Sequence, residues 1–207
     1  MTHTKTPMAT DPSRRTVLGG ALALGAALAL PGAAFALTDG EARALIDRAV
    51  GEVNAVINSG KPEAAMIADF ETIFVRYADL AVIAQSSLGV AARQATPAQL
   101  QAYAAAFKGY IARKYGRRFR EFIGSRIEVT GAKQVKSFYE VSSIAYFKNQ
   151  APFEVLWQVS DKSGKNLFFN IIIEGVNMLA SERTEIGAML DQRRGNIDAL
   201  IADLQKL

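Results

Sequence analysis

The chain has 207 residues, 24 basic and 20 acidic side chains and a formal net charge of +4, and half of its residues are apolar. It contains no cysteine, which excludes disulfides and thiolate chemistry in any redox compartment. The only histidine is His3, so the body of the chain has no Ser-His-Asp or Cys-His nucleophile and lacks the usual ligands of zinc and copper.

The amino terminus reads as an address. Arg14 and Arg15 precede an uncharged run at 17–30, and Ala34-Phe35-Ala36 follows as a small-x-small cleavage pattern. The apolar run is shorter than the about 20 residues that span a bilayer. We expect a twin-arginine export signal over residues 1–36, cleaved after about Ala36, and a single domain over 37–207 in the periplasm. Removing 1–36 leaves 21 basic against 19 acidic residues, a net charge of +2, so the precursor's basicity is no argument for nucleic acid binding.

Thr38 is placed to cap a first helix with Leu45, Ile46, Ala49, Val53, Val56 and Ile57 at helical spacing. Asn58-Ser59-Gly60 stops it. After Pro62, the stripe Met66, Ile67, Phe70, Ile73, Phe74, Tyr77, Leu80 and Ile83 predicts one second helix that ends at Leu88-Gly89. Thr96-Pro97-Ala98-Gln99 is a capping box that opens a long helix over roughly 97–122, with Leu100, Tyr103, Phe107, Tyr110, Ile111 and Tyr115 on one side. Residues 113–120 of that helix hold five cations in eight positions. A solvated helix end, a landing site for anionic headgroups and an acidic partner all fit that run.

After Gly124 the period changes to two. Ile127, Val129 and Gly131 predict a first strand, and 138–147 a second. Phe153, Val155, Trp157 and Val159 alternate with Glu154, Gln158 and Ser160 in a third. A turn through Asp161 and Gly164 leads to a fourth, Leu167 to Ile173, which is apolar on both faces. Two short helices follow, around 181–193 and from Asn196 to the end. The expected fold is α+β: an antiparallel four-stranded meander covered by N- and C-terminal helices that enclose an apolar pocket.

The ordered set Tyr77-Ala78-Asp79, Leu88-Gly89, Ala95 to Gln99, Tyr103, Phe107, Tyr115, Ile173 to Leu179, Arg183 and Ile197 to Leu204 resembles the MlaC-type phospholipid-binding, or toluene-tolerance, family over nearly all of 37–207. The chain departs from the family's pattern at Asn170, where Asp is frequent, at Asn177, where Ser is, and at Val90-Ala91-Ala92, where a tryptophan is often found. The resemblance implies a periplasmic, non-enzymatic carrier without a cofactor, shuttling phospholipid between inner and outer membranes and so serving outer-membrane lipid asymmetry. The implied partners are an inner-membrane ABC transporter with an MCE-domain ring and an outer-membrane lipoprotein complex. A related branch carries hopanoids.

The candidate lipid-lining residues are Phe74, Tyr77, Tyr103, Phe107, Tyr110, Phe153, Val155, Trp157, Phe169, Ile171 and Ile173, with Phe168 and Ile172 in place of Phe169 and Ile171 if the fourth strand turns its other face inward. Arg113, Lys114 and Arg117 are the candidates for headgroup or membrane contact, and Tyr115 and Arg183 for support. Two rival readings have their own signatures. An enzyme needs a carboxylate, such as Asp79 or Glu174, in an apolar pocket beside a second polar group. A ligand-free adapter needs a filled interior.

Overall fold

The computed structural model describes residues 37–117 and 119–207, with the side chains of 119 and 120 excepted. The expected export signal at 1–36 and its cleavage site lie outside the described residues, as does Arg118 of the basic run. Helix α1 (Asp39–Ile57) starts at a reciprocal capping box of Thr38 and Glu41, and buries Ala42, Leu45, Ile46, Ala49, Val50 and Ile57. Helix α2 (Glu63–Tyr77) buries Met66, Ile73, Phe74 and Tyr77.

One expectation fails here. The helix predicted through to Leu88 is two helices, because Ala78 is extended and α3 (Leu80–Leu88) starts afresh with Asp79 as its N-cap. The Asp79 amide donates to the Phe168 carbonyl at 2.8 Å, and Ala78 makes an isolated parallel bridge to Phe168. A sheet hydrogen bond therefore wins over helix continuation.

Helix α4 (Pro97–Gly116) has the predicted capping box and proline, but it stops six residues short of the expected end and passes into a 3₁₀ turn at Phe119–Phe122. Its last residue packs tightly, since a Cβ on Gly116 would lie 2.6 Å from Ile67 Cγ1 on α2. We expect Gly116→Ala to destabilise the fold. Overpacking of about 1–3 kcal/mol exceeds the roughly 1 kcal/mol of helix propensity that alanine gains, leaving a net loss of about 1 kcal/mol in urea unfolding.

Strands β1 (Arg126–Val135), β2 (Phe138–Tyr146), β3 (Phe153–Ser160) and β4 (Leu167–Ile173) form the expected antiparallel meander. A fifth strand, β5 (Val176–Asn177), extends it, so the four-stranded expectation is corrected to five in the order β1-β2-β3-β4-β5. Glu174 and Gly175, both at positive φ, make the two-residue turn that pairs Ile173 with Val176. The Asn177 side chain then accepts from the Ala180 amide and caps α5 (Met178–Gln192). Helix α6 (Ile197–Leu204) is capped by Asn196 in the same way.

Asn54 ties α1 to the edge strand by two hydrogen bonds. Asn54 Nδ2 donates to the Ile127 carbonyl at 3.1 Å, and its Oδ1 accepts from the Ile127 amide at 3.2 Å. That pair satisfies backbone groups that an edge strand leaves open. Helices α2 and α4 pack on each other, and the core runs from α1 through α4 to the inner sheet face at Val141, Val155 and Val159.

Candidate functional site

A cavity of about 530 Å³ lies between the inner face of the sheet and the helices, within the range of small-molecule pockets. The β3–β4 register shows how the strands build its wall. Val155 pairs with Ile173 and Trp157 with Ile171, so these four side chains share a face. A bulge at Gln158/Val159 then shifts the register by one, and Val159 pairs with Phe168. The bulge resolves the two-faced character of β4: Ile171 and Ile173 face inward before it, and Phe168 does so after it. Phe169, the extra residue, borders the cavity while its ring meets Phe138 edge-on at 5.6 Å.

Of the eleven lining candidates, the structure brings Phe74, Phe153, Val155, Trp157, Phe169, Ile171 and Ile173 to this cavity. The indole is held in place because Trp157 Nε1 donates to Ser143 Oγ at 2.9 Å, and that hydroxyl donates to the Val155 carbonyl at 3.0 Å. Phe168 packs edge-on to Trp157 at 5.4 Å and lies 5.8 Å from Phe74, which joins the sheet wall to α2.

Tyr77, Tyr103, Phe107 and Tyr110 do not line it. Phe107 and Tyr103 are wholly buried in the core, their rings 5.7 Å apart, and the Tyr103 and Ser87 hydroxyls bond at 2.8 Å. Burial holds the Tyr103 phenol well above its ordinary pKa, and this outweighs the opposing bond to Ser87. Tyr77 donates to Glu52 Oε1 at 2.7 Å and Tyr110 to Glu185 Oε1 at 2.6 Å. Tyr103, Phe107 and Tyr110 meet other helices, whereas Ile111 and Tyr115 of the same stripe line the cavity, and periodicity alone cannot tell a helix–helix seam from a cavity wall.

The basic candidates also stand apart from the cavity. Arg113 Nη2 donates to the Leu204 carbonyl and Arg117 Nη2 to the Leu207 carbonyl, each at 2.7 Å, which holds the C-terminal segment against α4. Lys114 Nζ lies 2.8 Å from Glu182 Oε1 and 2.5 Å from Glu185 Oε2. Burial works against the Lys114 ammonium, yet the bonds to both carboxylates outweigh it and hold the pKa above that of an ordinary lysine. The same bond, with the one from Tyr110, pulls the Glu185 carboxyl below its usual range despite burial. Among the described residues, the exposed members of the cavity wall are Glu121, Gln150, Glu174 and Val176, so the mouth carries carboxylates where cations are expected from the sequence.

Residues absent from the lining candidates also belong to the wall, among them Ala49, Val53 and Ile57 from α1, Phe70 and Ile73 from α2, and Met178, Leu179 and Glu182 from α5. The helical stripes mark most of these as buried, with nothing to separate cavity from core. Glu182 carries its own signal, since it lies on the apolar face of α5 with Leu179, Ile186 and Leu190. Neither carboxylate of the enzyme reading matches its signature. Asp79 caps α3 away from the cavity, and Glu174 sits in the exposed turn at the mouth. Among the described residues, no three His, Cys, Asp or Glu side chains gather as a metal-binding group, and no helix is long and apolar enough to cross a membrane.

Comparison with known proteins places this architecture. A solved structure of a phospholipid-binding protein from Ralstonia solanacearum, determined in complex with a phospholipid, aligns with a TM-score of 0.68 over 80% of this chain and 95% of that one. Sequence identity between the two is 20%, so the likeness shows a shared fold. The family described as MlaC protein matches residues 47–206, which is most of the chain from α1 to α6. On that match, this chain belongs to the MlaC protein family.

Proposed function

We propose that this protein is an exported, periplasmic, non-enzymatic carrier that holds phospholipid acyl chains in the sheet–helix cavity and moves the lipid between the inner and outer membranes. Its partners in this reading are the inner-membrane MCE-domain ABC transporter complex and the outer-membrane lipoprotein complex. The observation that carries the proposal is the cavity wall itself, in which Phe74, Phe153, Val155, Trp157, Ile171 and Ile173 converge from helix and sheet. Family membership and the phospholipid in the Ralstonia protein support it.

The energetics favour such a wall. Burying one methylene contributes about 0.8 kcal/mol, so an acyl chain of about sixteen carbons represents roughly 12 kcal/mol that a carrier must match when it withdraws a lipid from a bilayer. Exposure of the chains to water during transit costs the same amount, and an apolar wall around them offsets that cost. No covalent step is required, in keeping with a site that has neither histidine nor cysteine. A ligand-free adapter would have a filled interior in place of this volume.

The direct test is to delipidate the protein, incubate it with phospholipid vesicles and measure retained lipid by native mass spectrometry. We expect a discrete lipid adduct on the folded protein. A delipidated, folded protein that takes up no phospholipid would overturn the assignment.

A further inference from the structure

A second hollow, of about 400 Å³, shares no residue with the wall of the lipid cavity. Leu88 ends α3 on one side of it, and Gly89, Val90 and Arg93 follow in a 3₁₀ turn. Arg183 and Gly187 of α5 close the other side. Gly89 stands at φ +64°, a conformation that favours glycine, and a Cβ on it would lie 3.5 Å from Arg183 Nε. That Nε donates to the Ser86 carbonyl at 2.9 Å, which fixes the guanidinium beside the hollow.

Three features of this hollow serve no contact within the domain. Both Nη nitrogens of Arg183 and the whole Arg93 guanidinium lack a hydrogen-bond or ion-pair partner among the described residues. Val90 is 78% exposed, the most exposed large apolar side chain among the described residues. Gly187 lies inside α5, where glycine costs about 1 kcal/mol against alanine. A Cβ there would meet nothing within 4 Å, so packing inside the domain does not call for glycine. Its missing side chain keeps the hollow open one helical turn beyond Arg183.

We propose that this hollow is a docking site for an acidic segment of a protein partner, with a carboxylate received by Arg93 and Arg183 and an aliphatic side chain laid against Val90. Charge complementarity names the occupant: each guanidinium is a planar fork that matches the two oxygens of a carboxylate, and neither is neutralised within the domain. An anionic membrane fits less well, because it draws on many cations spread over a surface, whereas two arginines here flank one concavity. The assignment is independent of lipid carriage, since the six residues of the hollow are separate from the cavity wall.

The test is a titration of the isotope-labelled protein, as purified, followed through the backbone amide signals of Gly89, Val90 and Gly187. The probes are a blocked peptide of alternating glutamate and leucine, its glutamine counterpart, inorganic phosphate and phosphatidylglycerol vesicles. The glutamate peptide is expected to shift the three amides saturably and to bind about tenfold or more tightly than the glutamine peptide, the size of a charge-assisted hydrogen bond. Gly187→Leu, which fills the hollow, and Arg93→Glu, which reverses one exposed charge, are each expected to weaken the peptide about tenfold or more. Lipid content by native mass spectrometry is expected to stay at the wild-type level in both. No saturable shift, equal affinity for the two peptides, or undiminished binding by the folded variants overturns the proposal. So does phosphate binding as tightly as the peptide, which marks a bare anion pocket, or vesicles shifting these amides where the peptide does not, which marks a membrane contact. Where Gly187→Leu fails to fold, Arg93→Glu and the peptide comparison decide. Each of these results leaves lipid carriage standing, because lipid uptake is read separately.

Discussion

Replacing Phe107 by alanine is expected to remove about 3–5 kcal/mol of folding stability and to leave the lipid content of the folded protein unchanged. The side chain is wholly buried, flanked by the Tyr103 and Tyr110 rings at 5.7 and 6.1 Å, and none of the cavity wall belongs to it. Alanine leaves a void among α4 and its neighbours that the aromatic rings beside it fill only in part. A domain of this size loses about 2–4 °C in melting temperature per kcal/mol, so the midpoint should fall by roughly 10 °C. Thermal unfolding together with native mass spectrometry checks both halves. Lipid lost from a folded Phe107→Ala protein would show that Phe107 shapes the binding cavity after all.

Val53→Trp is expected to do the reverse. Val53 is a half-buried member of the wall on α1, so an indole at this position projects into the cavity and displaces ligand while the core stays packed. Excluding about three methylenes at about 0.8 kcal/mol each weakens acyl-chain binding roughly fiftyfold. Uptake from vesicles should drop by that order with a melting temperature near that of wild type. Wild-type uptake by a folded Val53→Trp protein would place the acyl chains elsewhere. The two variants together separate residues that hold the fold from residues that hold the ligand, and most of them have the same apolar character in the sequence.

That shared character explains what could be read in advance. Strand positions were legible because Phe153, Val155, Trp157 and Val159 alternate with Glu154, Gln158 and Ser160, and the α4 start was legible because Thr96 and Gln99 cap each other within one turn. The cavity residues of β3 were legible for the same reason, since a strand has only two faces. On helices the argument stops earlier. Tyr103 and Phe107 have the spacing and bulk of cavity residues, yet they face other helices, and the choice between seam and cavity depends on elements far away in the chain. The basic run shows the same limit. Its cations suggest a membrane or headgroup contact, but Arg113 and Arg117 reach the Leu204 and Leu207 carbonyls about ninety residues on, and Lys114 reaches Glu182.

The sequence by itself determined the α+β class, the consecutive antiparallel strands, the caps that begin α1 and α4, and the absence of thiol and imidazole chemistry from the folded domain. Each of these follows from interactions within a few residues or from composition alone. Only the tertiary structure decided that the helix after Pro62 breaks at Ala78, that a bulge turns Phe168 toward Trp157, that β5 extends the sheet, and that Glu182 stands in the cavity wall. Those outcomes depend on hydrogen bonds and packing between segments distant in sequence, where the local pattern is equally satisfied by more than one partner.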